Sequence, residues 1–150
     1  MLLQLCALVR LTRGSHYQDR ADAGRCLACF TDVAGVREVL LELLLDSADT
    51  FVTSATTEAR LRRGDTAGLA IVCAGVSLAQ NQQLDYIHGA LHSVLGVFER
   101  DRDTALMTCR GLLNDPAQDA DVRSGAEQFV AALTDLQPMI TNAEKPWPLE

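Results

Sequence analysis

The feature that most constrains the fold of this chain is an apolar pattern that recurs about every 35 residues. After Asp121, five apolar residues follow at spacings typical of one helix face. The same five positions are apolar 35 residues earlier, and four of them are apolar again near the start of the chain. These sets are Val122, Ala126, Phe129, Val130 and Leu133; Ile87, Leu91, Val94, Leu95 and Phe98; and Ala23, Cys26, Leu27 and Phe30. A further set that starts at Phe51 fits at three of its five positions.

A second apolar pattern alternates with the first. It starts at Val36, recurs 33 residues later at Leu69 and another 37 residues later at Leu106, with Arg110 as its one polar position. Two interleaved patterns of this kind predict a series of antiparallel helix pairs. Because one pair cannot bury its apolar faces alone, neighbouring pairs must stack.

Length and turn signals divide the chain into about eight helices. Clusters of Gly, Asp, Asn and Pro separate stretches of roughly 11 to 17 residues, and no stretch alternates as a strand does. With 150 residues, we expect one domain over residues 1–136. Residues 137–150 carry three prolines and no periodicity, which predicts a poorly ordered tail, and Leu149-Glu150 is interpreted as a cloning remnant.

Two segments resemble repeats of the HEAT and armadillo-like helical family. LLLDSADTFVTSATTEARLRRGD and GLLNDPAQDADVRSGAEQFVAAL both place two leucines before an acidic turn, with small residues on the next helix. Asp121-Val122-Arg123 matches the family's Asp-Val-Arg turn, whereas the turn at Asp49 lacks the Arg. The resemblance covers about residues 16–135. It implies an all-α, right-handed superhelix of three to four helix pairs whose concave surface binds a partner.

Composition limits the classes of partner and the compartment. The 13 basic and 20 acidic residues give a net charge of −7, which argues against general binding of nucleic acid. The opening MLLQLCALV is too short to span a bilayer and lacks the basic start of a signal peptide, so no membrane contact is expected. Five scattered cysteines are an odd number and do not suggest a disulfide framework. These observations predict a cytoplasmic protein.

The Cys26-Leu27-Ala28-Cys29 motif is the strongest candidate for cysteine chemistry. A zinc site would need two further ligands, and a thioredoxin-like site would need a βαβ unit. Since Cys26 falls in the core pattern, it is expected to be a core residue, and Cys29, which lies beside it, is likewise expected to have a structural role. Cys73 and Cys109 also fall at core positions.

Other constellations have simple structural interpretations. Asp85, His88 and His92 share a helix, but both histidines lie outside its core pattern and are expected to meet solvent. Arg63-Gly64-Asp65 follows Arg60 and Arg62, as expected where cations and Gly end one helix and Asp begins the next. The pair Glu38 and Glu42 is expected to be solvated. We therefore assign no catalytic residue, no metal and no cofactor.

The predicted function is a non-enzymatic scaffold that binds a protein or peptide. Concave-face positions give five candidate partner-binding residues: Arg37, Glu38, Glu42, Thr108 and Arg110. The uncharged stretch TAGLAIVCAGVSLAQ is either packed on both sides or an apolar patch for a partner. The protein is expected to be a monomer or, if its apolar first helix is exposed, an end-to-end dimer. The alternative is a catalytic or ligand-handling protein of this family, similar to phycobilin lyases or alkyl-purine DNA glycosylases.

Overall fold

The computed structural model describes residues 1–141, which form eight α-helices and no strand. The all-α prediction is therefore confirmed for the described part of the chain. The helices are α1 (Leu2–Leu11), α2 (Tyr17–Leu27), α3 (Val36–Leu44), α4 (Thr50–Arg63), α5 (Thr66–Leu78), α6 (Asn81–Leu95), α7 (Glu99–Asn114) and α8 (Ala120–Asp135).

Local capping fixes the boundaries of the central helices. The Asp49 side chain accepts a hydrogen bond of 2.8 Å from the Phe51 amide at the start of α4. Gly64 ends α4 with a left-handed backbone (φ +67°), a conformation that favours glycine. Asp65 then caps α5 by accepting a 2.7 Å hydrogen bond from the Gly68 amide. The structural interpretation of the Arg63-Gly64-Asp65 triplet is thus confirmed.

Three helices from successive pairs lie side by side. α4 packs against α2 on one side and against α6 on the other, while α3 packs against α5. This row of α2, α4 and α6 is the arrangement that stacked helix pairs predict.

The last hairpin departs from a uniform stack. A regular stack places α8 beside α6, whereas here α8 packs mainly on α5 and α7. Gly125 of α8 lies so close to α5 that a Cβ atom there would overlap the Cys73 carbonyl oxygen. The missing side chain of Gly125 therefore lets the two helix backbones approach each other.

This packing makes α5 the central helix of the fold. It contacts α3, α4, α7 and α8, and residues 68–76 are all buried. Of the two alternatives for the uncharged stretch, packing on both sides is confirmed for residues 68–76, whereas Leu78 near its end is exposed. Burial from every direction also accounts for its lack of charge.

The segment after α8 returns to the α6–α7 connection. The Met139 and Ile140 amides donate to the Gly96 and Val97 carbonyls at 2.9 and 2.8 Å, and the Glu99 amide donates to Ile140 at 2.9 Å. The start of the expected tail is thus held by backbone hydrogen bonds. The rest of it, with Trp147 and Leu149-Glu150, lies outside the described residues.

Candidate interaction surfaces

Arg37, the first predicted partner-binding residue, lies in a groove between α3, α5 and the α7–α8 connection. The groove has a volume of about 450 Å³. Arg37 is half-buried, and its Nη1 lies 3.6 Å from Oδ2 of Asp119, which begins α8. This ion pair links α3 to the residue before α8; both helices pack on α5.

The other four predicted residues lie on the outer parts of α3 and α7. Glu38 and Glu42 are exposed on α3, as expected for solvated carboxylates. Arg110 is exposed on α7, whereas Thr108 is half-buried and donates its hydroxyl to the Thr104 carbonyl at 3.0 Å. α3 and α7 make no substantial contact with each other. The predicted residues on α3 and those on α7 therefore belong to separate parts of the surface.

An aromatic cluster that the sequence analysis missed lies on the surface formed by α2 and α4. The rings of Tyr17 and Phe51 meet edge to face with their centroids 5.6 Å apart. The Arg25 guanidinium lies 5.5 Å from the centre of the Phe51 ring, and His16 stacks on Tyr17 at 6.2 Å. Tyr17 and Phe51 are 39% and 45% exposed, so this cluster offers large aromatic faces to solvent.

The exposure of Phe51 corrects its placement in the core pattern. Val52 and Ala55 provide the apolar contacts of this part of α4 with the core, and Phe51 faces outward beside Tyr17. Phe98, which was placed in the same pattern, lies at the start of α7 and is also exposed. One signal for the cluster was available: Tyr17 and Phe51 are separated by 34 residues, about one repeat.

The first helix presents a second exposed apolar surface. None of its residues is buried, and Leu2 and Leu3 are 79% and 87% exposed. Leu5 and Leu8 are partly buried against the core, which attaches α1 to α2. The opposite side of α1 therefore remains open to solvent.

Polar groups inside α4 form a buried stripe. Thr53, Thr56, Thr57 and Arg60 have no exposed surface. Arg60 Nη1 donates to the Ala28 carbonyl, while its Nη2 lies 3.5 Å from Oδ1 of Asp65. Arg60 Nε and Nη2 and the hydroxyls of Thr53 and Thr56 have no hydrogen-bond partner among the described residues. Arg60 was expected only as a cation near a helix end, so its complete burial is an unpredicted feature.

The two cysteines of the Cys-x-x-Cys motif are exposed, which corrects the expectation that Cys26 is a core residue. α2 turns Ala21, Ala23, Gly24 and Leu27 inward, so Cys26 lies on its opposite side. Cys73 and Cys109 are buried, as predicted. Interaction with the Cys109 thiol, together with burial, raises the pKa of the Cys73 thiol.

The histidines of α6 differ in exposure. His92 is exposed, as predicted, whereas His88 is half-buried. The expectation that both histidines face solvent is therefore confirmed only for His92. Burial, together with the charge of His92, lowers the pKa of His88, and Asp85 opposes this effect. Within residues 1–141, no three His, Cys, Asp or Glu side chains form a group that could hold a metal ion.

A smaller and mostly apolar groove of about 370 Å³ lies where α4, α6 and α7 meet. Val94, Val97 and Phe98 line one side, and Arg62 and Asp101 add two opposite charges. Its lining offers apolar contact and charge to a ligand, but no thiol or imidazole group.

Comparisons with protein-family models, curated proteins and solved structures find no match. None of the helices in the described part of the chain is both long enough and apolar enough to cross a bilayer.

Proposed function

We propose that this chain is a non-enzymatic helical-repeat module that binds a protein or peptide partner. The observation that carries the proposal is the exposed cluster of Tyr17, Phe51 and Arg25. Tyr and Arg are among the residues that most often dominate binding energy at protein interfaces, and rigid aromatic rings bury large areas at low entropic cost. Only six aromatic side chains fall within the described residues, and this surface holds two of them.

The side-by-side row of α2, α4 and α6 supports a HEAT-like superhelix as the architecture of this module. In that arrangement the charged residues of α3 and α7 serve as concave-face contacts, with Glu38 and Glu42 as the exposed acidic pair. The five free cysteines favour the cytoplasm as its compartment.

Affinity capture from the native host, with matched variants, tests this proposal. Phe51→Ala removes the central ring of the cluster, and we expect it to weaken partner binding by about 2 kcal/mol, roughly 30-fold. Tyr86→Ala is the control, because Tyr86 is similarly exposed (41%) but lies on α6 outside the cluster. Double charge reversal at Glu38 and Glu42 tests the α3 surface separately.

Each outcome of the capture experiment has a clear meaning. Loss of the partner with Phe51→Ala but not with Tyr86→Ala supports binding at the aromatic cluster. Loss only with the charge reversal moves the interface to α3. A partner retained equally by all variants, or no specific partner for the wild type, would overturn the proposal. Circular dichroism of each variant verifies that the helices remain intact.

We also propose that α1 allows the module to associate end to end. Its exposed face carries Leu2 and Leu3, and Arg10 is its one charged residue. A largely apolar surface of this kind is stabilised by contact with a similar surface.

A further inference from the structure

Cys26 lies in the last turn of α2, and Cys29 lies two residues after its end, in the turn that follows. The Cys29 amide donates to the Cys26 carbonyl at 3.2 Å, so both residues belong to the same helical turn. Helix geometry places such Cα atoms about 5 Å apart. Their Cβ atoms are then roughly 5 to 6 Å apart and face the same side. Two solvent-exposed thiols are therefore adjacent.

This spacing lets a single atom bridge the two sulfurs. A Cβ separation of this size exceeds the roughly 3.5 to 4.5 Å of a disulfide, but an atom bound to both sulfurs spans it without unwinding the turn. Both cysteines are free thiols in this structure, so the pair is available for chelation.

Two arginine side chains lie near Cys29. The Arg60 guanidinium donates to the carbonyl of Ala28, between the two cysteines, and its Nε and Nη2 atoms have no hydrogen-bond partner. Arg60 is completely buried and interacts electrostatically with Cys29. Arg63, which is exposed, interacts with Cys29 and with Asp65. Two cationic side chains thus lie close to Cys29.

We propose that Cys26 and Cys29 form a bidentate thiol site for a thiophilic centre of the trivalent arsenic type. No third protein ligand is grouped with them in the described residues, whereas structural zinc requires four ligands. A trivalent organoarsenical brings its own third substituent, so two sulfurs complete its coordination. This inference is independent of the proposed partner binding.

The reaction with phenylarsine oxide balances without an oxidant. Two S–As bonds form, the As–O bond breaks, and the oxygen leaves as water with both thiol protons. Arsenic stays trivalent and both sulfurs stay at the thiol oxidation level. A small dithiol reverses the reaction by taking over the arsenic, whereas a monothiol competes poorly with a chelating pair.

The remaining cysteines serve as internal controls. Cys6 is exposed but stands alone on α1, while Cys73 and Cys109 are buried within the packed helices. A thiol reagent should therefore find three reactive cysteines in the native protein: Cys6, Cys26 and Cys29.

The test counts reactive thiols in the reduced, full-length protein before and after one equivalent of phenylarsine oxide. We expect three rapidly reacting thiols before treatment and one afterwards, with recovery of the other two on adding 2,3-dimercaptopropanol. Cys6→Ser should still lose two thiols to the arsenical. Cys26→Ser and Cys29→Ser should lose none, because one sulfur cannot chelate. All three substituted positions are exposed, so these variants should fold.

Either of two results would overturn the inference. One is an unchanged thiol count after the arsenical is added to the wild type. The other is equal protection in Cys26→Ser, which would place the reactive pair elsewhere. Intact-mass measurement gives an independent readout, because one phenylarsenic group should add to the wild type and to Cys6→Ser only.

Discussion

Arg60 is a charged residue whose side chain is completely buried, so neighbouring groups must compensate its charge. Burial lowers its pKa, and the charge of Asp65 opposes that effect. Gly68 makes room for the guanidinium, since a Cβ atom there would lie 2.6 Å from Arg60 Nη2. A buried charge is tolerated only when nearby groups compensate it, and here the Ala28 carbonyl and Asp65 provide that compensation.

Asp65 connects this charge to the pH dependence of stability. Burial acts to raise its pKa, but the hydrogen bonds from Arg63 and the Gly68 amide, with the charges of Arg60 and Arg63, outweigh burial and lower it. A depressed pKa means that the folded state favours the carboxylate. Its stabilisation is complete above the ordinary aspartate value near 4 and is lost as the pH falls through the folded-state pKa.

Asp65→Asn should therefore destabilise the protein in a pH-dependent way. Asn caps helices about as well as Asp, so this variant isolates the charge. We expect a loss of about 1 kcal/mol at pH 7 that shrinks as the pH falls below the ordinary aspartate value and through the lower folded-state pKa. Urea unfolding at pH 7 and at a pH below that ordinary value measures it. Asp22→Asn is the control, because the Asp22–Arg25 pair is exposed and should contribute little. An equal loss at both pH values would contradict this account of Asp65.

At the scale of the helices, the contact between α5 and α8 determines how the last hairpin packs on the rest of the fold. Nine consecutive buried residues of α5 require cover on all sides, and α8 provides cover that a uniform stack would not. Gly125 permits this contact by leaving its helix face bare opposite the Cys73 carbonyl.

A single methyl group at Gly125 should therefore separate α5 and α8. We expect Gly125→Ala to lower the free energy of unfolding by about 3 kcal/mol, at the upper end of the usual cost of overpacking. Gly111→Ala on α7 is the matched control, since a Cβ atom there meets no atom within 4 Å. That variant should gain about 0.5 to 1 kcal/mol from its higher helix propensity. Chemical denaturation of both proteins compares them, and equal effects would show that the contact is looser than described.

The sequence predicts where each helix begins and ends better than it predicts which helices pack together. Asp49, Gly64 and Asp65 identify helix ends because capping is local chemistry. Cys26 and Phe51 were assigned to the core wrongly, because periodicity identifies a helix face but not the helix that covers it. Arg60 was missed for the same reason: its burial depends on Ala28, Asp65 and Gly68 meeting around it. The aromatic cluster likewise depends on α2 and α4 lying side by side.

At the scale of the whole molecule, the interior and the exposed surfaces have separate roles. α5 is enclosed by other helices, whereas α1 and the aromatic cluster of α2 and α4 leave apolar area in water. Apolar area left exposed in this way commonly marks an interaction site. Binding at these surfaces does not require the core to open.

End-to-end association through α1 should respond to two surface substitutions. The Leu2→Gln and Leu3→Gln double variant removes the exposed leucines without altering a buried residue. Light scattering across a range of protein concentrations should show dimer formation by the wild type and a weaker tendency in the variant. A wild type that stays monomeric at every concentration would contradict this proposal.

Hydrogen exchange of the protein, free and saturated with its captured partner, tests the central claim most directly. The first amides of a helix lack intrahelical acceptors; α2 has no side-chain cap, and the Phe51 amide of α4 is held by the Asp49 side chain alone, so contact at either helix start should slow exchange there. We predict new protection around Tyr17 and Phe51, with α5 strongly protected in both states. Protection confined to other surfaces, or an α5 that exchanges as fast as α1, would contradict the account.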